Sequence, residues 1–227
     1  MLHVPMSQKE STLGWIYLVF QLTALPSLLT QLNRSLSSPF SGTELNFLFF
    51  LINFLAVMLI FRRFFQSSWR SFRRRIWRNL GVVVLGLLGY LLSLALFSRI
   101  VLQLRPSFIN LNDQNISIMA GSQFLLMAIG TVLLVPPVEE CFYRGLIFGK
   151  LWGKSPVTAY LLSAGVFSLI HIVGFLPVYA WPDLLLSFLQ YLPAGLILAW
   201  CYRTTDTIFV SVFIHALVNL RGIWLMR

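Results

Sequence analysis

Charge is what this chain lacks. Only 11% of its 227 residues are Asp, Glu, Lys or Arg, against 58% hydrophobic, where an average soluble domain carries roughly 25% charged and about 45–50% apolar residues. A soluble globule of this length could not hide so much apolar surface, and the same figures exclude a disordered chain. Cysteine is equally scarce. Cys141 and Cys201 are the two, both in apolar stretches, which excludes a secreted disulfide scaffold and leaves them as small buried hydrophobes. Acidic residues number seven against seventeen Lys and Arg. No internal repeat of about 20–50 residues is visible, and neither a low-complexity linker nor a soluble domain interrupts the chain.

What the sequence has instead is apolar runs near the ~20-residue length that crosses a bilayer. They fall at about 13–32, with Pro26 as an expected kink, then 44–61, 80–97, 121–148 (passing through Pro136-Pro137), 156–176, 183–202 and 207–226. The expected fold is therefore all-α: a polytopic membrane helical bundle of about seven transmembrane helices. Arg62, Arg63, Arg70, Arg73, Arg74, Arg75 and Arg78 crowd into one connection between two runs. The positive-inside rule makes that connection cytoplasmic, with anionic headgroups as natural contacts. By alternation the N-terminus is cytoplasmic and residues 99–120 form an external polar loop. The +10 net charge is thus topology; no nucleic-acid motif accompanies it.

An ionisable side chain near the bilayer centre costs at least ~2.5 kcal/mol, so each one inside a span is a candidate functional residue. They fall in three clusters: Glu139-Glu140 with Arg144, Phe167 with His171, and His215 with Asn219. At about 100° per residue, Glu140 and Arg144 share a helix face one turn apart, in the favourable order for an ion pair. Glu139 points elsewhere, with Tyr143 rather than a base one turn on. Arg144 can neutralise Glu140 and leave Glu139 free for chemistry. Pro136-Pro137 should break or kink the fourth span and place both carboxylates in the first turn of a restarted helix. His215 and Asn219 share a face and can both donate to a developing oxyanion. Phe167, one turn before His171, can shield or orient the imidazole. Gly145, Gly149 and Gly165 are expected at close helix contacts. Asp183 and Asp206 read as charges at helix N-termini, and His3 as a solvated terminal residue.

These clusters, in this order on successive hydrophobic segments, resemble the CAAX protease and bacteriocin-processing family of intramembrane proteases. The chain shows Glu139-Glu140-x-x-x-Arg144-Gly145, then Phe167-x-x-x-His171, then His215-x-x-x-Asn219. The apolar runs give N-terminal transmembrane helices over 1–118, carrying the basic cytoplasmic loop 62–78, and the resemblance, which spans about Gly121 to Leu220, implies a catalytic transmembrane core over 119–227. It implies hydrolysis of a membrane-associated peptide or protein, with Glu139 activating water, His171 sharing in holding it and moving protons, and His215 and Asn219 forming the oxyanion hole. Glu140, Arg144 and Phe167 would support the site.

The favoured chemistry uses no metal. If zinc were bound, Glu139, His171 and His215 would be its ligands, but the H-E-x-x-H spacing of zincins is absent. Other functions compatible with the same residues are a non-catalytic immunity or partner protein and a proton-coupled carrier, the latter disfavoured because no inverted repeat is seen. The partners expected are the lipid bilayer and a membrane-tethered peptide or protein substrate, and the location a multi-pass protein of a bacterial cell membrane. The substrate groove is expected to open toward the cytoplasmic, basic side.

Overall fold

The computed structural model describes residues 6–176 and 178–226; His3 lies outside them. Eight helices follow one another, with no strand among the described residues: α1 (Gln8–Arg34), α2 (Gly42–Ile60), α3 (Arg62–Arg74), α4 (Ile76–Leu104), α5 (Leu111–Trp152), α6 (Pro156–Val173), α7 (Trp181–Thr205) and α8 (Ile208–Leu225). All but α3 are long and apolar enough to cross a membrane. The chain is an integral multi-pass membrane protein. Their outward faces are apolar, as lipid requires. Trp77, Trp181 and Trp224 stand exposed near helix ends, where amphipathic rings settle at the headgroup level.

The helices are longer than the apolar runs that announce them, because polar residues cap them. Ser7 and Ser41 each form a capping box, with Glu10 and Glu44 three residues on. Two of the four glutamates are thereby explained by helix starts. Glu10 does more: its Oε1 accepts the Phe64 backbone N–H at 2.8 Å, tying α1 to α3. Helix α1 continues through Pro26 without a break. The expected external loop over 99–120 is mostly helix: α4 runs to Leu104 and α5 begins at Leu111, capped by the Asn110 side chain.

The basic connection is not a loop. Arg62–Arg74 is an amphipathic helix that buries Phe64, Phe65, Ser68 and Phe72 and turns its arginines outward. Its buried face caps one end of the bundle. Ser68 Oγ accepts from the Ile208 N–H at 2.8 Å, and Thr207 Oγ1 donates to Ser68 O at 2.9 Å. Asp206 does not start a helix. It ends α7 in the left-handed region at φ 54°, a conformation Asp tolerates better than most residues, and Thr207 caps α8 instead. Asp183 does lie in the first turn of α7, paired with Arg105 at 3.0 Å.

Helix α5 departs most from expectation. It runs unbroken past Pro136-Pro137, and its one non-helical residue is Gln123. Two wide π-helical stretches, Gly130–Leu134 and Cys141–Phe148, flank the short α-helical segment Val135–Glu140 that carries the prolines. Proline lacks the N–H that an α-turn would use, and the π-turn ahead of it changes the pairing so that the helix continues. The two carboxylates therefore sit inside a long helix and not in the first turn of a new one. Because α5 extends to Trp152, Glu139 lies deeper than an end at Phe148 would place it, close to the level of His171.

Close packing brings α6 and α7 together. A Cβ at Gly195 would come within 2.8 Å of the Ala164 Cα. Gly145 is tight against Met6 and Phe64, as expected, but Gly165 faces open space. Hydrogen bonds reinforce these contacts where water cannot compete: Ser163 Oγ donates to Tyr143 O and Ser211 Oγ to Leu198 O, both at 2.9 Å. Gly195→Val should lower stability by about 1–3 kcal/mol through overpacking, while Gly165→Ala should be neutral or slightly stabilising, measured by thermal unfolding in detergent. Equal effects at both positions would contradict this packing.

Candidate active site

The site is assembled from four helices. Helix α5 brings Glu139, Glu140 and Arg144, α6 brings Phe167 and His171, α7 brings Tyr191 and Gly195, and α8 brings His215 and Asn219. Glu140 and Arg144 are completely buried, the most demanding placement for charge that the chain contains. Arg144 Nη1 donates to Glu140 Oε1 at 2.8 Å, and its Nη2 donates to the Gly195 carbonyl at 3.1 Å. Its guanidinium also lies over the Phe167 ring, 4.5 Å from the centroid, a favourable cation–π contact. The same Glu140 oxygen takes a second partner, His215 Nδ1, at 2.8 Å.

Glu139 is placed differently. Its Oε2 is 3.9 Å from His171 Nε2 and 4.0 Å from His215 Nε2, and it has no protein hydrogen-bond partner. The histidines are held from behind. His171 Nδ1 meets the Phe167 carbonyl at 2.7 Å, and a carbonyl only accepts, so Nδ1 carries a proton. His215 Nδ1 donates to Glu140 in the same way. Both Nε2 atoms are thus turned toward Glu139. Phe167 packs between them, its centroid 4.5 Å from that of His171 and 5.9 Å from that of His215. Asn219 donates to the Thr131 carbonyl at 2.8 Å, which uses one of its two amide protons.

Glu139, His171, His215 and Asn219 line one cavity of about 320 Å³. It continues past Asn112 and Asp113 to Arg221 and Met226, which lie at the end of the bundle opposite α3. The groove therefore does not open on the basic side as expected. Helix α5 starts, and α6 and α8 end, at that far side, and their residues there line the cavity.

Two zinc ligands at bonds of 2.0–2.1 Å in a tetrahedron are about 3.4 Å apart, whereas two hydrogen bonds of ~2.8 Å meeting at one water span roughly 4.0–4.6 Å. The separations of 3.9 and 4.0 Å lie above the first figure and at or just below the lower end of the second. No group of three His, Cys, Asp or Glu among the described residues is placed to hold a metal ion.

One residue of the site is not evident from the sequence. Tyr191 of α7 stacks on His171 with ring centroids 4.1 Å apart and 27° between planes. Its signal was present but unspecific: Gln190-Tyr191 interrupts an apolar run two residues before Pro193.

This constellation lies within a bundle of seven helices long and apolar enough to cross a membrane. Residues 121–221 match the family described as Rce1-like, type II CAAX prenyl endopeptidase, so over this segment the chain is similar to that family. The matched stretch contains all three polar clusters. No curated protein and no solved structure matches the chain.

The Glu140–Arg144 pair should be indispensable to folding. Arg144→Ala leaves a buried carboxylate uncompensated, which should destabilise the protein by about 3–5 kcal/mol. Arg144→Lys should not rescue it, because an ammonium cannot reproduce the guanidinium fork that reaches both Glu140 and Gly195. Thermal unfolding in detergent measures both, and a lysine variant as stable as wild type would contradict the assignment.

Proposed function

We propose that the protein is an intramembrane endopeptidase that hydrolyses a membrane-tethered peptide or protein with a water molecule activated by Glu139, without a metal. The observation that carries this is the Glu139 carboxylate, unpaired and facing two Nε2 atoms across distances that suit an intervening water. The water gives a proton to Glu139 and its oxygen adds to the scissile carbonyl carbon. His171 faces the same water position and shares in moving that proton. Asn219 and a protonated His215 donate to the oxyanion, the His215 imidazolium being balanced by Glu140 on its other nitrogen. When the tetrahedral intermediate collapses, the C–N bond breaks and the amine leaves with the proton held by Glu139. The buried pair Glu140–Arg144 fixes α5 and orients His215.

The likeness to prenyl endopeptidases supports a substrate carrying a lipid anchor near its cleaved bond. With α3 on the cytoplasmic side, the cavity opens toward the opposite face, and substrate reaches it from there or from within the bilayer.

Cleavage of a fluorogenic membrane-tethered peptide by purified protein in detergent tests the reading. Glu139→Gln should reduce kcat by at least about 10²-fold, as loss of a general base does. Asn219→Ala should reduce it by about 10²–10³-fold, as loss of one oxyanion donor does. A chelator should leave the wild-type rate unchanged. Full activity in Glu139→Gln would end this proposal, and activity lost to chelator and restored by zinc would replace water activation by Glu139 with metal chemistry.

A further inference from the structure

Tyr191 sits too deliberately to be filler. It is a tyrosine almost wholly buried at membrane depth, 9% exposed, where a phenol hydroxyl must find partners. It finds three, all from the start of α5. The hydroxyl lies 3.2 Å from Asn110 Oδ1 and 3.4 Å from Asp113 Oδ1, both acceptors, and receives a bond from Asn112 Nδ2 at 3.2 Å. Asn110 is itself fixed, donating from Nδ2 to Gln190 Oε1 at 3.1 Å. These residues join the beginning of the helix that delivers Glu139 to the middle of α7.

The other face of the same ring meets His171. Phe167 O fixes one nitrogen of that imidazole, and the tilted Phe167 ring 4.5 Å away restrains it only in part. The Tyr191 stack at 4.1 Å removes this remaining freedom. With Nδ1 held and the plane held, Nε2 has one direction left, toward Glu139. An error of about 1 Å at a reacting group can lower a rate by about 10²-fold, so the clamp matters to catalysis and not only to packing.

We infer that Tyr191 is a positioning residue, acting through His171, and that Asn110, Asn112 and Asp113 anchor its hydroxyl so that the ring holds the imidazole plane. This rests on the peptidase reading for its kinetic readout alone; the spectroscopic one is independent of it.

The chain has three histidines, so selective ¹³C labelling of their Cε1 positions gives a readable NMR spectrum in detergent, with His171 assigned by its loss in His171→Gln. The Tyr191 ring current should hold the His171 Cε1–H proton upfield. Tyr191→Leu should release it downfield and lower kcat by about 10²-fold with little change in KM. Tyr191→Phe keeps the ring and loses the anchors, so it should fall between the two in both measurements. A Tyr191→Leu variant whose folded fraction keeps the wild-type His171 resonance would overturn the inference, as would unchanged kcat in an active enzyme. If wild type cleaves no peptide, the peptidase reading falls, and the resonance shift still decides whether Tyr191 holds His171.

Discussion

A carboxylate at zero exposure within a membrane protein is the constraint around which this molecule is arranged. Glu140 cannot be solvated, so every interaction that makes it tolerable must come from the protein. Arg144 supplies the charge, one helical turn away on α5. His215 supplies a second donor from α8 to the same oxygen. Arg144 in turn needs a place for its remaining N–H groups and takes the carbonyl of Gly195 on α7, and its guanidinium needs a face to lie on, which Phe167 of α6 provides. One buried charge therefore ties together four helices, each of which lines the cavity, with α2 and α4 completing its wall.

The separation of roles between two adjacent carboxylates follows. On a helix, neighbours in sequence are about 100° apart, so only one of the pair can face the Arg144–His215 anchor. The other is left directed into the cavity, with Glu139 Oε2 near two imidazole nitrogens and bound to neither. Each imidazole is fixed through Nδ1 by a group that only accepts. Glu139 Oε2 and the two Nε2 atoms converge on one point, while Glu140 Oε2 and Arg144 Nε stay buried without a hydrogen-bond partner inside the anchor pair. Structure and chemistry divide the polar residues between them.

Much of this was legible in the sequence, and for physical reasons. Membrane spans are announced by apolar length, and polar residues inside them are too expensive to be incidental, which brought out Glu139, Glu140, Arg144, His171, His215 and Asn219 together. The Glu140–Arg144 pairing follows from a spacing of four. Other features depend on context that one sequence does not carry. Pro136-Pro137 reads as a break, yet π-turns on either side absorb the missing donors. The arginine-rich stretch reads as a loop because its charges conceal the Phe64, Phe65 and Phe72 face that docks on the bundle. The helix ends lie beyond the apolar runs because Ser and Asn caps extend them. Tyr191 becomes significant only when α6 and α7 close and stack it on His171. Which end of the bundle the cavity reaches depends on how the helices pack, and no residue pattern states that.

The central claim is that Glu140 belongs to the fold and Glu139 to the chemistry, and thermal unfolding of the two single amide variants tests it most directly. Glu139→Gln and Glu140→Gln remove the same charge from adjacent residues of one helix. Glu139→Gln should unfold at the wild-type temperature or slightly above it, since a partly buried carboxylate with no hydrogen-bond donor on its Oε2 has been removed. Glu140→Gln should unfold far lower, because it leaves the Arg144 guanidinium buried without its counter-charge. Equal losses in the two variants, or a greater loss in Glu139→Gln, would contradict the account.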